Sequence, residues 1–287
     1  MKPAKKFNEK DVIDANRRYY NNNAKTYDNI VITNNSFTRL KKIISKILLT
    51  LNNNNLIDDD FIALDACGGT GNVSFIMNKM GHNVHLVDLS SSMIENFNKY
   101  CEKNKFSIKY FNSEINQYLI SCTTKYNLIV FSSALHHLRY PNEVLINASK
   151  CLKPGGIILT IADPTLNVQR ATFKIFSFFD RGINLIFRNP LELLKRLKKK
   201  IYKDKNNGKD GYMDWIAEYH AQKGIDDNAL KTELTEKKLF ILWHGRYTGG
   251  YNRLFQSFYK LIRMDTSFAM LISNNKYRDI KFDINLK

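Results

Sequence analysis

Two acidic residues, each closing an apolar run, flank a glycine-rich turn in the first third of the chain. The run Phe61 to Leu64 ends at Asp65, the turn CGGTG occupies Cys67 to Gly71, and a second run, Val84 to Val87, ends at Asp88. Between them Asn72 to Met80 has helical character and is closed by Gly81. Short apolar runs bounded by turn residues read as buried strands. The segment is therefore a strand–turn–helix–strand unit, half of a doubly wound sheet that binds ligands at the carboxyl ends of its strands. Glycines in such a turn let the backbone approach a ligand closely, and the helix start behind them presents free N–H groups that favour negative charge. A carboxylate ending the second strand can accept hydrogen bonds from both hydroxyls of a ribose. The ligand implied is a nucleoside with an anionic tail. It is not a P-loop ligand, because no Gly-Lys-Ser/Thr follows Gly71, and the spacing of Gly68, Gly69 and Gly71 breaks the dinucleotide pattern G-x-G-x-x-G.

Asp65-Ala66-Cys67-Gly68-Gly69-Thr70-Gly71 resembles the first motif of the class I S-adenosylmethionine-dependent methyltransferases, roughly D-x-G-x-G-x-G, with Cys67 in the first glycine's place. Asp88-Leu89-Ser90-Ser91-Ser92-Met93 is similar to the D-x-S-x-x-M that follows their second strand. The resemblance implies S-adenosyl-L-methionine as cofactor. It implies cofactor contacts at Asp65, Cys67, Gly69, Gly71, Asp88, Leu89, Met93, Glu114, Ile115 and Ser132. Glu114 stands where the family places an acidic residue for the adenine amino group; a cap on the next helical turn is its alternative reading. Ala24 to Asp28 resembles the segment that closes the cofactor site in small-molecule members, with Tyr27 near the methyl donor and Tyr19 or Tyr20 as neighbours. These tyrosines equally suit simple packing of the leader onto the domain. Ala134-Leu135-His136-His137-Leu138 resembles the lip after the fourth strand, which borders cofactor and acceptor. His136 and His137 are the candidate general bases, since an unperturbed imidazole titrates near neutral pH. The competing role for both is to hold the loop by hydrogen bonds.

The elements that must position these residues follow in order. Ser36 to Leu51 carries Phe37, Leu40, Ile43, Ile44, Ile47, Leu48 and Leu51 at helical spacing, so it packs on the sheet. A helix is expected from Ser91 to Lys103, with Ser92 and Glu95 as a capping box. Ser107 to Phe111 and Tyr126 to Ser133 read as the third and fourth strands. Pro141 suits the first turn of a helix, Lys153-Pro154-Gly155-Gly156 ends it, and Ile157 to Ala162 is the fifth strand. Leu239 to Tyr247 and Ser267 to Ser273 read as terminal strands, antiparallel in the resembled family. The expected fold is α/β, a Rossmann-like seven-stranded, mostly parallel sheet with flanking helices and a helical insert after the fifth strand. Residues 1–287 are expected to form one methyltransferase domain: a helical leader over 11–60, a cofactor-binding core over 61–163, an acceptor cover over 164–235 and terminal strands over 236–287.

Composition narrows the class further. No run of ~18 apolar residues is present, so no membrane-spanning helix is expected. The basic start lacks the apolar stretch of a signal peptide. The four cysteines are scattered without a C-x-x-C, which suits reduced thiols and a cytoplasmic protein rather than a zinc site. Methyl transfer as such needs no metal, and none is expected. Net charge is +17, which favours anionic partners, although an Asn-, Lys- and Ile-rich composition of AT-biased coding explains it as well. Residues 172–203 join a phenylalanine run to Lys195, Arg196, Lys198, Lys199 and Lys200 beside an apolar stripe. That is a basic amphipathic pattern, either an anionic-membrane contact or a lid with a solvated face. Asp214 to Gly224 is expected to return toward the active site. The acceptor expected is a small or lipid-like molecule. Nucleic acid is disfavoured because the fourth strand exits as Ser132-Ser133-Ala134-Leu135, without the Asx/Ser-Pro-Pro-aromatic motif of amino-methylating nucleic-acid enzymes. RNA methylation, or cofactor binding without catalysis, are the alternative readings.

Overall fold

The structure is a computed structural model that describes residues 8–31, 35–57, 59–188, 216–217, 220, 223–248, 257–259, 261–262, 264–275, 282 and 284. Two helices, α1 (Glu9–Val31) and α2 (Asn35–Asn53), precede β1 (Ile62–Ala66). Then come α3 (Asn72–Asn78), β2 (Asn83–Asp88), α4 (Ser91–Asn104), β3 (Lys109–Asn112), α5 (Ile115–Ser121) and β4 (Tyr126–Ser132). A 3-10 turn (Leu135–His137) leads to α6 (Pro141–Lys150), β5 (Leu152–Pro164), a second 3-10 turn and α7 (Ala171–Arg188). The described chain ends with α8 (Asp227–Glu236), β6 (Phe240–Tyr247) and β7 (Ser267–Ser273).

The seven strands lie in the order β3-β2-β1-β4-β5-β7-β6. β1 to β5 pair in parallel, while β7 runs antiparallel to both β5 and β6. Of the two terminal strands only β7 is therefore reversed; β6 lies outside it and points with the others. The carboxyl ends of β1, β2, β4, β5 and β6 accordingly face one edge. β1 and β4 are buried along almost their whole length, as strands covered on both faces must be. One core layer places Ile43, Ile44, Ile47 and Leu51 of α2 against Ala63, Leu128 and Leu159. The other sets Leu119, Leu145 and Ala148 of α5 and α6 against Leu64, Ile129 and Ile158. The helical spacing of α2 therefore covers this sheet face together with Val73, Ile76 and Met77 of α3 and Ile94 and Phe97 of α4.

Two local differences from the sequence expectation have simple causes. The helix after β2 is capped by Ser90, whose Oγ accepts from Met93 N–H, and not by Ser92. The serine run offers several caps, and Ser90 is the one that Asp88 anchors through its backbone N–H. β5 begins at Leu152, before Pro154 and the glycines, because α6 already stops at Lys150. The basic residues at 195–200 lie outside the described residues, as do Trp215 and Tyr219.

Candidate cofactor and acceptor site

The site is built at the carboxyl edge. Gly68 N–H donates to Val87 O and Gly71 N–H to Gly68 O, which closes the turn between β1 and α3. Cys67 sits at φ 57°, a left-handed conformation that favours glycine, and this accounts for the usual residue at that place. Gly69 also has positive φ, and nothing lies within 4 Å of where its Cβ would stand. Asp88 reaches across from β2, its Oδ2 accepting from Gly69 N–H at 2.8 Å and its Oδ1 from Ser90 N–H at 2.8 Å. Each carboxylate oxygen keeps a second lone-pair site for a ligand. Burial pushes the Asp88 carboxyl up to about 6, against the pull of those two N–H bonds.

Asp65 has a different task. It is buried, and its Oδ2 accepts from both Ser74 N–H and Ser74 Oγ–H at 2.9 and 2.8 Å, so it ties the end of β1 to helix α3. Burial raises its carboxyl to about 6 as well. Gly71 does not reach the pocket wall; it starts α3 at φ 90°, with its face pressed on the Phe97 ring. Glu114 caps α5, with Oε1 accepting from Asn116 N–H and Oε2 from Gln117 N–H. The cap reading of Glu114 is thus what its hydrogen bonds show, although it also borders the pocket.

A cavity of about 390 Å³ gathers most of the expected residues: Asp65, Cys67, Gly69, Asp88, Leu89, Met93, Glu114, Ile115, Ser132 and His137. Its other side is α1, whose Val12, Ile13, Asn16 and Tyr20 recur at helical spacing, with Leu40 of α2 beside them. Asparagines strap α1 down: Asn21 Oδ1 accepts from Ser90 Oγ, Asn96 Nδ2 donates to Ala24 O, and Asn16 Nδ2 donates to His137 O. Asn16 and Asn21 escaped the sequence reading, because asparagine is common in this chain and carries no signal of its own. The i, i+4 repeat of Val12, Asn16 and Tyr20 was the clue available. Arg139, Tyr140 and Tyr247 also border the cavity. Tyr27 lies on α1 at a position whose side chain is outside the described residues.

The two histidines part company. His136 is buried beneath the pocket, with its Nδ1 2.8 Å from Asp163 Oδ1, which also accepts from His136 N–H. Burial takes this imidazole down to about 4 and the Asp163 carboxyl up to about 7, so the pair favours its neutral form. His137 faces the cavity, 2.7 Å from Tyr20 Oη through Nε2 and 3.0 Å from Ala217 O through Nδ1. His220 N–H donates to His136 O, so the described part of the 216–225 segment does return to the site.

This geometry can be set against known proteins. A family model described as a methyltransferase domain matches residues 64–158. The chain is 35% identical over 95 residues to demethylmenaquinone methyltransferase of Chlamydia trachomatis serovar D, covering 32% of this chain and 40% of that protein. It is 31% identical over 97 residues to tRNA 5-carboxymethoxyuridine methyltransferase of Escherichia coli K12, covering 33% and 37%. The match thus spans about two fifths of the length of these relatives. Magnesium protoporphyrin IX methyltransferase from Synechocystis PCC 6803, solved with SAH, superposes with a TM-score of 0.55 at 10% identity, over 91% of this chain and 98% of that one. The N-methyltransferase NodS from Bradyrhizobium japonicum WM9, in complex with S-adenosyl-L-homocysteine, gives 0.52 at 14%, over 92% and 100%. At these identities the structural likeness is one of fold. Residues 64–158 match a methyltransferase domain, and the chain built around them has the fold of methyltransferases solved with S-adenosylhomocysteine.

Proposed function

We propose that the chain transfers a methyl group from S-adenosylmethionine to a small or lipid-like acceptor held beneath α1. The observation that carries this is the single cavity running from Asp88 and Gly69 to Tyr20 and His137, with the apolar Val12, Ile13 and Leu40 on its wall. Its volume falls in the range of small-ligand pockets, ~300–1,000 Å³. The residues suit the cofactor: Asp88 offers anchored carboxylate oxygens to a ribose, and the open face of Gly69 leaves room for the backbone approach. S-adenosylmethionine, when bound, supplies an electrophilic methyl group on a sulfonium. The protein's own part is then to hold the acceptor in line and to exclude water, which α1 does by lying over the pocket.

Tracing labelled methyl groups from S-adenosylmethionine in crude lysate, with and without the protein, tests the reading. Label is expected in the lipid or small-molecule fraction. Label confined to RNA would replace this acceptor class with the alternative one, and no added label in any fraction would remove the catalytic reading.

Cofactor affinity should also depend on pH. Asp88 holds its proton up to about pH 6, above the ordinary carboxylate value. The ribose hydroxyls need the ionised form, so affinity is complete well above pH 6 and declines as pH falls through it, approaching about tenfold per unit. Calorimetric titrations between pH 7.5 and 5 should show this decline, and Asp88→Asn should flatten it. A wild-type affinity constant across that range would contradict the role given to Asp88.

An anionic membrane surface is the proposed meeting place with a lipid-like acceptor. On α7, Ile175, Phe178 and Phe179 are 55%, 75% and 53% exposed. Arg170 and Lys174, also exposed, stand on the same stretch. Aromatic burial plus about 1 kcal/mol per basic residue near an anionic leaflet supports reversible binding. The protein should sediment with phosphatidylglycerol vesicles at low salt, less at high salt, and less after Phe178→Ser and Phe179→Ser together. Wild-type protein remaining in the supernatant at low salt would leave α7 as a plain cover.

A further inference from the structure

Helices α5 and α6 pack together and each ends on a cysteine, Cys122 capping α5 and Cys151 capping α6. Cys151 belongs to the core layer of Leu119, Leu145 and Ala148, and Cys122 packs against that layer from its rim. The Cys151 thiol points at the turn that Cys122 ends, its Sγ–H donating to Leu119 O at 3.2 Å. Burial first, and then the neighbouring Cys122 thiol, hold the Cys151 proton in place. Cys151 is 2% exposed and Cys122 is half-buried, so a reagent arriving from solvent meets Cys122 first. Cys122 also has a route for its proton. Its Sγ lies 3.5 Å from Thr124 O and 3.9 Å from Tyr126 Oη. That hydroxyl is a hub, 2.5 Å from Tyr118 Oη and 3.0 Å from His85 Nδ1. A phenol accepts two hydrogen bonds and donates one. With Tyr118 and Cys122 donating to it, Tyr126 gives its own proton to His85 Nδ1. Burial, and after it the Lys109 charge, lower the His85 pKa, which leaves this ring neutral with an open lone pair. None of these five side chains borders the cofactor cavity, so methyl transfer does not account for them.

Going beyond methyl transfer, we propose that Cys122 and Cys151 are a dithiol that reduces a hydroperoxide and closes to a disulfide. Cys122 reacts first, because a thiolate is the nucleophile and Cys122 is the sulfur with both access and a proton route. Its proton passes to Tyr126 as the Tyr126 proton passes to His85 Nδ1. The Cys122 sulfur then attacks one peroxide oxygen, the O–O bond breaks, and Cys122 becomes a sulfenic acid. The departing oxygen leaves as an alcohol, or as water from hydrogen peroxide, taking up the proton that His85 returns. Cys151 next attacks the Cys122 sulfur, the S–OH bond breaks, and the hydroxide leaves as water with the Cys151 proton. The sum balances: two thiols and one hydroperoxide give one disulfide, one alcohol and one water. The two sulfurs lose two electrons, and the O–O bond takes them. The order of the steps follows from burial, since Cys151 has no path to the peroxide but faces the turn where the sulfenic acid forms. The new bond ties together two helices whose first turns, at Ile115 and Val144, border the cofactor cavity.

The test uses the full chain, first reduced and then treated with hydrogen peroxide in about twofold molar excess. Mass spectrometry of the cysteine peptides, without reduction, should find Cys122 joined to Cys151 within one chain. Cys67 and Cys101 should still be thiols at that point. Burial raises both, Cys101 to about 11, and a thiol that keeps its proton is a poor nucleophile. In Cys151→Ser the reaction should stop at a Cys122 sulfenic acid, which dimedone traps. In Cys122→Ser the buried Cys151 should stay reduced. Tyr126→Phe should slow closure at least threefold with an unchanged circular-dichroism spectrum. His85→Leu gives the same readout at the far end of the relay if Tyr126→Phe does not fold. Both thiols surviving, Cys67 or Cys101 reacting first, or a link only between chains would each overturn the proposal. So would Cys151 oxidising at the wild-type rate in Cys122→Ser, or closure at that rate in a folded relay variant.

Discussion

Replacing Asp88 by alanine is expected to weaken S-adenosylmethionine binding at least tenfold while leaving the protein folded. The carboxylate is held by two backbone N–H groups at 2.8 Å, so it is already aimed before the ligand arrives. Hydrogen bonds to a charged group contribute roughly 1.5–3 kcal/mol each, less whatever water restores after the substitution. Even one such bond, half replaced by water, corresponds to a several-fold loss, and a ribose offers two hydroxyls. The fold should survive, because the side chain borders the cavity rather than either core layer and Ser90 still caps α4 through Met93 N–H; burial also raises the Asp88 carboxyl, so its charge opposes folding at neutral pH. The sign follows directly: a carboxyl raised above its unfolded value costs stability as pH rises through the interval from 3.8 to about 6. Calorimetric titration with a circular-dichroism check is the measurement. A folded Asp88→Ala protein with wild-type affinity would remove the ribose assignment.

Gly71→Ala should act the opposite way, on stability first. Gly71 has φ +90°, and an added Cβ would lie 2.4 Å from the Phe97 ring and 3.1 Å from Phe75. Phe97 is fully buried and stacked on Phe75 at 5.3 Å, so the ring has nowhere to move. Left-handed backbone costs an alanine about 1–2 kcal/mol, and overpacking adds about 1–3 kcal/mol. Together these predict a fall in Tm on the order of 5–15 °C for a chain of this size. Gly69→Ala is the informative partner. It meets nothing within 4 Å, so only the backbone cost applies, and its added methyl narrows the cofactor side of the cavity instead. Thermal unfolding of the two variants should therefore rank Gly71→Ala well below Gly69→Ala. Equal midpoints would mean that the Phe97 contact does not constrain the turn.

The parts legible in the sequence are those governed by local pattern. Apolar runs ending in Asp65 and Asp88, with glycines between, required a strand–turn–helix–strand unit, and β7 was bounded correctly by its flanking polar residues. What escaped was decided by tertiary choice among equivalent residues. Three adjacent serines could each cap α4, and the anchor supplied by Asp88 selects Ser90. Asp65 and Gly71 carry the motif, yet Asp65 is spent on Ser74 even where it borders the cavity, and Gly71 shapes the turn from behind, against Phe97. His136 and His137 are chemically identical in sequence. Only the packing of β5 buries one on Asp163 and turns the other toward Tyr20. The order of the last strands also depends on distant pairing, since β7 inserts between β5 and β6.

The most direct test of the cofactor site is a crystal structure of the full chain with S-adenosylhomocysteine. The account predicts both ribose hydroxyls within hydrogen-bond distance of the Asp88 carboxylate, the ligand passing over the open face of Gly69, and α1 lying across it with Tyr20 still on His137. A ligand seated elsewhere, or a ribose turned away from Asp88 in a pocket with an unchanged turn, would contradict it.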